Sequence, residues 1–156
     1  MATTFRKVAV VGAGAVGSFY GAMLARAGHA VVLIGRPAHV AAIRRDGLRL
    51  EMAGRTETVA VEASSDVAAA RGAELVLVSV KSTDTDAVAR ELAPLLGRDA
   101  VVVSLQNGVD NADVIAQRVD ATVVPAVVYV ATAMPAPGVV RHHGRGDLVI
   151  GPRTRD

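Results

Sequence analysis

The sequence predicts an α/β fold with a doubly wound, mostly parallel β-sheet to which small hairpins are added. Two observations support this fold class. Five short apolar runs are rich in valine and nearly continuous, as expected for strands buried on both faces of a parallel sheet. Segments with helical spacing lie between these runs, so that strands and helices alternate along most of the chain.

The predicted elements follow this alternation. The strands are Lys7–Val11, Ala30–Ile34 and residues 74–80, 100–105 and 122–130. The helices are residues 16–27, 38–46, 84–96 and 110–119, and glycines 28 and 47 act as stop signals for the first two. Two hairpins are expected in addition, one from Leu48–Met52 with residues 55–61 and one from residues 139–141 with residues 148–150.

Composition argues against several classes of function. The chain has 156 residues, of which 51% are hydrophobic, enough for one domain with a substantial core. A net charge of +2, scattered basic residues and an aromatic content of 3% argue against nucleic-acid binding. The chain has no cysteine, and its four histidines lack metal-ligand spacing, so no metal site is predicted. Because the apolar runs are short and a strand pattern begins near the N-terminus, we expect a cytoplasmic protein without a membrane partner.

A glycine-rich segment follows the first strand directly and opens the first helix. Gly12, Gly14 and Gly17 match the pattern G-x-G-x-x-G, which in this context binds the pyrophosphate of a dinucleotide. We expect Gly12 to permit the tight turn, Gly14 to let the phosphate approach the backbone, and Gly17 to let the helix pack closely on the strand. The amides of Ala15 and Val16, at the start of the helix, then face the phosphates. The alternative is a tight turn without a ligand, but the order of strand, loop and helix favours a Rossmann-type dinucleotide-binding domain.

The end of the second strand favours NADP over NAD. NAD sites usually place an Asp or Glu there, about 20 residues beyond the glycines. No acidic residue occurs between the glycine segment and Asp46, and Arg36 occupies the end of the strand instead. A guanidinium at this position can pair with a 2′-phosphate and stack on adenine. The predicted cofactor is therefore NADP(H), with a merely solvent-facing arginine as the alternative.

Polar residues follow the next two parallel strands, and two of them are candidate catalytic and cofactor-binding residues. The ammonium of Lys81 can hold a substrate carboxylate or a ribose oxygen, although a lysine leaving a buried strand is also an ordinary feature. The amide of Asn107 can donate and accept a hydrogen bond, although Asn-Gly is also a common turn signal. Thr83 or Asp84, and Asp110, are interpreted as helix caps.

Four segments resemble the N-terminal domain of the ketopantoate reductase (2-dehydropantoate 2-reductase) family. They are the glycine loop 12–17 with Tyr20 and residues 27–29, residues 78–82 with 84–85, residues 104–109, and residues 137–142 with 148–151. The resemblance implies NADPH-dependent reduction of 2-dehydropantoate to pantoate in pantothenate biosynthesis, with a small 2-keto acid as substrate. It also implies that Arg36 meets the 2′-phosphate and that Lys81 and Asn107 line the cleft for cofactor and substrate.

The resemblance also sets expectations for domain organisation. Residues 1–156 correspond to the dinucleotide-binding domain, and we expect the helical catalytic domain of the family, which supplies its principal catalytic lysine, to be absent from this chain. Two alternatives stay open at this point: a non-catalytic nucleotide-binding or redox-sensing module, and the cofactor domain of a related 2-keto or 2-hydroxy acid dehydrogenase. The sequence does not fix the oligomeric state, and a homo-oligomer is one of the states it allows.

Overall fold

The computed structural model describes residues 4–108 and 110–151, so that Val109, within one of the segments that carry the resemblance, lies outside the described residues. Nine strands are found there: β1 Lys7–Val11, β2 Ala30–Ile34, β3 Leu48–Met52, β4 Arg55–Val59, β5 Glu62–Ser64, β6 Leu75–Val78, β7 Val101–Ser104, β8 Thr122–Ala136 and β9 Val139–Ile150. The α-helices are α1 Ala15–Arg26, α2 Pro37–Asp46, α3 Thr85–Leu92 and α4 Asn111–Ala116.

Six parallel strands, in the order β5-β2-β1-β6-β7-β8, form the larger part of the sheet from its β5 edge, and β9, β3 and β4 continue the sheet beyond β8. This is the 3-2-1-4-5-6 order of the Rossmann fold, in which the order of strand addition reverses between β1 and β6 while all six strands stay parallel. In the central strand, Val10 is paired with Leu33 on one side and with Leu77 on the other. The predicted fold class, a mostly parallel doubly wound sheet, is therefore confirmed.

Two apolar layers cover the two faces of this sheet, which explains why the central strands read as continuous apolar runs. On one face, Phe19 of α1 and Ile43 of α2 belong to the same buried cluster as Leu33. On the other face, Leu92 of α3 and Ile115 of α4 pack in a second cluster. Among the described residues, no helix is long and apolar enough to cross a membrane.

The two predicted hairpins had different outcomes. The hairpin of β3 and β4 around Ala53 and Gly54 is confirmed, although β4 ends at Val59 and residues 62–64 form the separate strand β5. The second hairpin is wrong, because residues 139–150 form one continuous strand, β9, paired antiparallel with β8. The actual turn lies at residues 137–138, between Ala136 and Val139.

The segment Gly144-Arg145-Gly146, predicted to be a turn, is a bulged part of β9. The partner of Tyr129 is Asp147, but the partner of the next residue, Val130, is Arg145, so that one residue of β9 is extra. Glycine in a strand interior commonly marks such a bulge, which explains why a turn signal here did not produce a turn. The hydroxyl of Tyr20 on α1 donates to the carbonyl of Gly146 at 3.0 Å and fixes the bulge against the helix.

Helices α3 and α4 are shorter than predicted. A 3₁₀ turn, Ser82–Asp84, precedes α3, and a second, Ala93–Leu95, follows it, because Pro94 cannot continue the pattern of helical hydrogen bonds. Asp84 and Asp110 stand at the cap positions of α3 and α4, but neither side chain makes a capping hydrogen bond. Their backbones are helical rather than extended, so the usual side-chain capping geometry is not available.

Candidate functional site

The glycine loop joins β1 to α1 at the carboxyl end of the sheet, and its three glycines meet three different surroundings. Gly12 has a φ of +96°, and a Cβ there would lie 2.6 Å from backbone atoms of Ser79 and Val80, at the end of β6. A Cβ on Gly17 would lie 2.5 Å from the carbonyl oxygen of Gly12. A Cβ on Gly14 would meet no atom within 4 Å. Two of the glycines therefore serve packing of the loop, whereas Gly14 borders open space.

The start of α1 faces the same open space. The first helical hydrogen bond runs from the amide of Ser18 to the carbonyl of Gly14 at 2.9 Å, and Gly14 caps the helix without a side chain. The amides of Ala15 and Val16 precede that bond and therefore have no acceptor within the helix. Such amides, together with the helix dipole, favour an anion at this position.

A first cleft of about 480 Å³ lies between the glycine loop and the ends of β2 and β6. Its lining includes Gly12, Gly14, Arg36, His39 and Lys81. Arg36 is exposed at the start of α2, and within the described part of the chain its side chain makes no hydrogen bond or ion pair. A guanidinium without a protein partner beside an open helix N-terminus makes this cleft suited to a ligand with several phosphates.

A second cleft of about 430 Å³ opens between the ends of β6 and β7. Its lining includes Val16, Lys81 and Asn107, and it shares Lys81 and the two residues before it with the first cleft. Lys81 and Asn107 are both exposed, and the hydroxyl of Ser82 lies 3.5 Å from the carbonyl oxygen of Asn107. The structure thus brings the predicted site residues to one edge of the sheet, along two adjoining clefts that meet at Lys81.

A buried histidine beside Arg36 was missed by the sequence interpretation, which assigned no role to any of the four histidines. His39 Nδ1 accepts the amide of Gly138 at 2.8 Å, so the neutral ring carries its proton on Nε2, 3.0 Å from Ser18 Oγ. Burial lowers the pKa of His39 and favours this neutral form. Because the hydroxyl of Ser18 in turn donates to the carbonyl of Ala13 at 3.3 Å, His39 links the β8–β9 turn to the glycine loop. Its place on the apolar side of α2 was the only signal in the sequence.

A separate groove, here called the hairpin groove, lies at the tip of the β3–β4 hairpin and is lined by Glu51, Arg55, Arg141, His142 and His143 among others. Arg141 is paired with Glu51 at 2.6 Å, which neutralises part of the positive charge of this groove. Among the described residues, no cluster of three or more His, Asp or Glu side chains is arranged to hold a metal ion.

The strand order and the clefts at the carboxyl ends of the strands define the chain as a Rossmann-type domain. The family model for ketopantoate reductase PanE/ApbA matches residues 8–155. The chain therefore belongs to the ketopantoate reductase PanE/ApbA family, a family of pyridine-nucleotide-dependent oxidoreductases. The resemblance seen in the sequence is confirmed.

Individual relatives agree with this assignment. The 2-dehydropantoate 2-reductase of Halobacterium salinarum is 40% identical over 151 residues, which cover 93% of this chain and 48% of the relative. The crystal structure of a PanE/ApbA family ketopantoate reductase from Ralstonia eutropha is 59% identical, with a TM-score of 0.90 over 95% of this chain and 50% of that one. A ternary structure of D-mandelate dehydrogenase with NADH and anilino(oxo)acetate is 26% identical, with a TM-score of 0.84 over 92% of this chain and 47% of that one. The chain thus spans about half the length of the relatives it matches.

Proposed function

We propose that this chain is the NADP(H)-binding domain of a 2-dehydropantoate 2-reductase, with residues 1–156 forming the cofactor domain. The observation that carries the proposal is the first cleft, where the open helix N-terminus after Gly14 and the guanidinium of Arg36 border the same space. The free space at the Gly14 Cβ position, together with the amides of Ala15 and Val16, fits a pyrophosphate.

Arg36 supports NADP(H) as the form of the cofactor. It lies two residues after the end of β2, where NAD sites usually carry a carboxylate. The acidic residue that follows the neighbouring edge strand β5, Asp66, already accepts a hydrogen bond from the amide of Ala68 at 2.9 Å. A 2′-phosphate at the end of β2 therefore gains a guanidinium partner, and the acidic residue that lines the first cleft, Asp84, follows β6 rather than β2.

Lys81 and Asn107 are proposed to act where the two clefts meet. The bound nicotinamide supplies the hydride for reduction of a 2-keto group. The ammonium of Lys81 provides positive charge for a ribose oxygen or a substrate carboxylate, and the amide of Asn107 orients a ribose hydroxyl or a substrate oxygen. Both groups bind and orient, and neither is proposed as the general acid that protonates the product alkoxide.

The second lysine of the sequence does not fill the role of general acid either. Lys7 lies at the amino end of β1, at the opposite edge of the sheet, and its ammonium donates to the carbonyl of Arg71 at 2.8 Å. We therefore expect the purified chain to bind NADPH but to show negligible turnover of 2-dehydropantoate, measured by NADPH absorbance. Efficient reduction by the chain alone would contradict this expectation.

The cofactor proposal is tested by titrating the chain and an Arg36→Ala variant with NADPH and NADH. We expect the wild type to prefer NADPH, and Arg36→Ala to weaken NADPH binding by about 10- to 100-fold, the range for losing a charge-assisted contact. NADH binding should change little. Arg45→Ala is the matched control, because Arg45 is exposed on the same helix and pairs with Asp46 outside the cleft. Equal affinities for the two nucleotides, unchanged in Arg36→Ala, would refute NADP(H) selectivity.

A second candidate function, the cofactor domain of a 2-hydroxy acid dehydrogenase, is favoured by the similarity to D-mandelate dehydrogenase, whose structure contains NADH and anilino(oxo)acetate. The same titration separates the two candidates, since this alternative predicts tighter binding of NADH than of NADPH. A 2-keto acid series added to the NADPH-saturated chain gives a second comparison, in which 2-dehydropantoate should perturb the nicotinamide fluorescence more than phenylglyoxylate does.

A further inference from the structure

Four buried polar side chains lie together between the carboxyl ends of β6 and β7. Thr85, Ser104, Gln106 and Asn111 are exposed by only 1%, 3%, 8% and 7%, respectively. Buried polar groups lower the stability of a protein unless they are hydrogen-bonded, so such a concentration at one place calls for a complete set of partners. Thr85, Ser104 and Asn111 lie next to the loops that carry Lys81 and Asn107 but outside the lining of the second cleft, whereas Gln106 also lines that cleft.

Gln106 forms the centre of this cluster, and each of its side-chain polar atoms has a partner. Its Nε2 donates to the carbonyl of Val80 at 3.0 Å and to Thr85 Oγ1 at 2.7 Å. Its Oε1 accepts the hydroxyl of Ser104 at 3.1 Å. One end of the cluster is therefore bonded to the peptide group between Val80 and Lys81.

Asn111 connects the cluster to the second loop. The hydroxyl of Thr85 donates to Asn111 Oδ1 at 2.9 Å. Asn111 Nδ2 donates to the carbonyl of Asn107 at 2.8 Å and to Ser82 Oγ at 3.2 Å. Donors and acceptors thus alternate without a conflict from the carbonyl of Val80, through Gln106, Thr85 and Asn111, to the carbonyl of Asn107.

We propose that Thr85, Gln106 and Asn111, here called the brace, are positioning residues that hold the backbones of Lys81 and Asn107 in fixed relation across the second cleft. The inference rests on the proposed function, in which these two residues contact the cofactor or substrate. Lys81 and Asn107 are themselves exposed, and their loops belong to different strands, so local structure alone does not fix their separation. A fully satisfied buried network gives such loops a single arrangement.

The test removes the central hydroxyl with Thr85→Val, which keeps the shape of the side chain but breaks the link between Gln106 and Asn111. In NADPH titrations at a temperature where every variant is folded, Thr85→Val should bind NADPH about tenfold more weakly than the wild type. Thr85→Ser retains the hydroxyl and should restore affinity to within about twofold of the wild type. Ile115→Val is the control for stability alone, since it removes one methyl group from a buried site on α4 outside the brace and both clefts.

The outcomes separate the brace from the proposed function. A folded Thr85→Val variant with the affinity of the wild type would overturn the brace while leaving NADPH binding intact. An equal loss of affinity in Ile115→Val would also overturn it, because the effect would then follow from stability. Absence of saturable NADPH binding by the wild type would overturn the proposed function, and the brace with it.

Discussion

Replacing Gly12 by alanine should lower stability, whereas replacing Gly14 by alanine should lower NADPH affinity, although the two glycines stand only two positions apart in one loop. Gly12 has a φ of +96°, and an added Cβ would lie 2.6 Å from backbone atoms at the end of β6. Gly14 has a φ of −82°, which any residue adopts, and an added Cβ would meet no protein atom within 4 Å. We therefore expect Gly12→Ala to damage the fold and Gly14→Ala to damage the site.

The magnitudes follow from these surroundings. For Gly12→Ala, the left-handed backbone costs about 1–2 kcal/mol, and the forced contact with immobile backbone costs about 1–3 kcal/mol more. At about 2–4 °C per kcal/mol for a domain of this size, the melting temperature should fall by roughly 4–20 °C. For Gly14→Ala, the loss is about 1 kcal/mol or less, since alanine is only a poorer helix cap. The methyl group of Gly14→Ala instead occupies space proposed for the pyrophosphate, and NADPH affinity should drop about tenfold or more.

Differential scanning fluorimetry and calorimetric titration with NADPH measure the two effects separately on the same samples. The reasoning is refuted if Gly14→Ala remains folded and binds NADPH as tightly as the wild type. It is also refuted if Gly14→Ala loses as much stability as Gly12→Ala, because the space beside Gly14 would then not be open.

Three further predictions concern stability. Burial lowers the pKa of His39 below its ordinary value of 6.5, so the unfolded chain takes up a proton before the folded chain does, and the contribution of neutral His39 to stability is complete above about pH 6.5 and is lost as the pH falls below it. Thermal melts between pH 7.5 and 5 should show that His39→Gln loses less melting temperature on acidification than the wild type, whereas the exposed control His143→Gln loses as much as the wild type. Leu33 is fully buried in β2, so Leu33→Ala should lower the free energy of unfolding by about 2–5 kcal/mol in urea titration, against about 0.5 kcal/mol or less for the exposed Ile150→Ala, and equal losses would contradict the assigned core. Gly138 has a φ of +78° in the β8–β9 turn, so Gly138→Ala should lower the same quantity by about 1–3 kcal/mol, and a neutral result would contradict the turn geometry.

The sequence was sufficient for the parallel core because burial on both faces leaves a direct trace, a continuous apolar run. The valine-rich strands β1, β2, β6 and β7 were located to within one or two residues, and the glycine loop between β1 and α1 was recognised from its neighbours. Placing Arg36, Lys81 and Asn107 at one edge of the sheet required only the rule that ligands bind at the carboxyl ends of parallel strands.

The features that the sequence did not predict depend on partners distant in the chain. Edge strand β5 has only three residues and is defined by pairing with β2, and the bulged strand β9 is defined by pairing with β8. His39 gains its role from Gly138, 99 positions away, and Gln106 gains its partner Thr85 from the start of α3, 21 positions away. Local periodicity holds no information on such contacts, because they form only when the sheet assembles.

The central claim, that NADP(H) binds along the two clefts at the carboxyl end of the sheet, is tested most directly by mapping backbone amide shifts during NADPH titration. The account predicts saturable changes at Ala15, Arg36, Lys81 and Asn107, with the hairpin groove unaffected. Absence of saturable shift changes, or shift changes concentrated in the hairpin groove with none at the amides of the glycine loop, would contradict it.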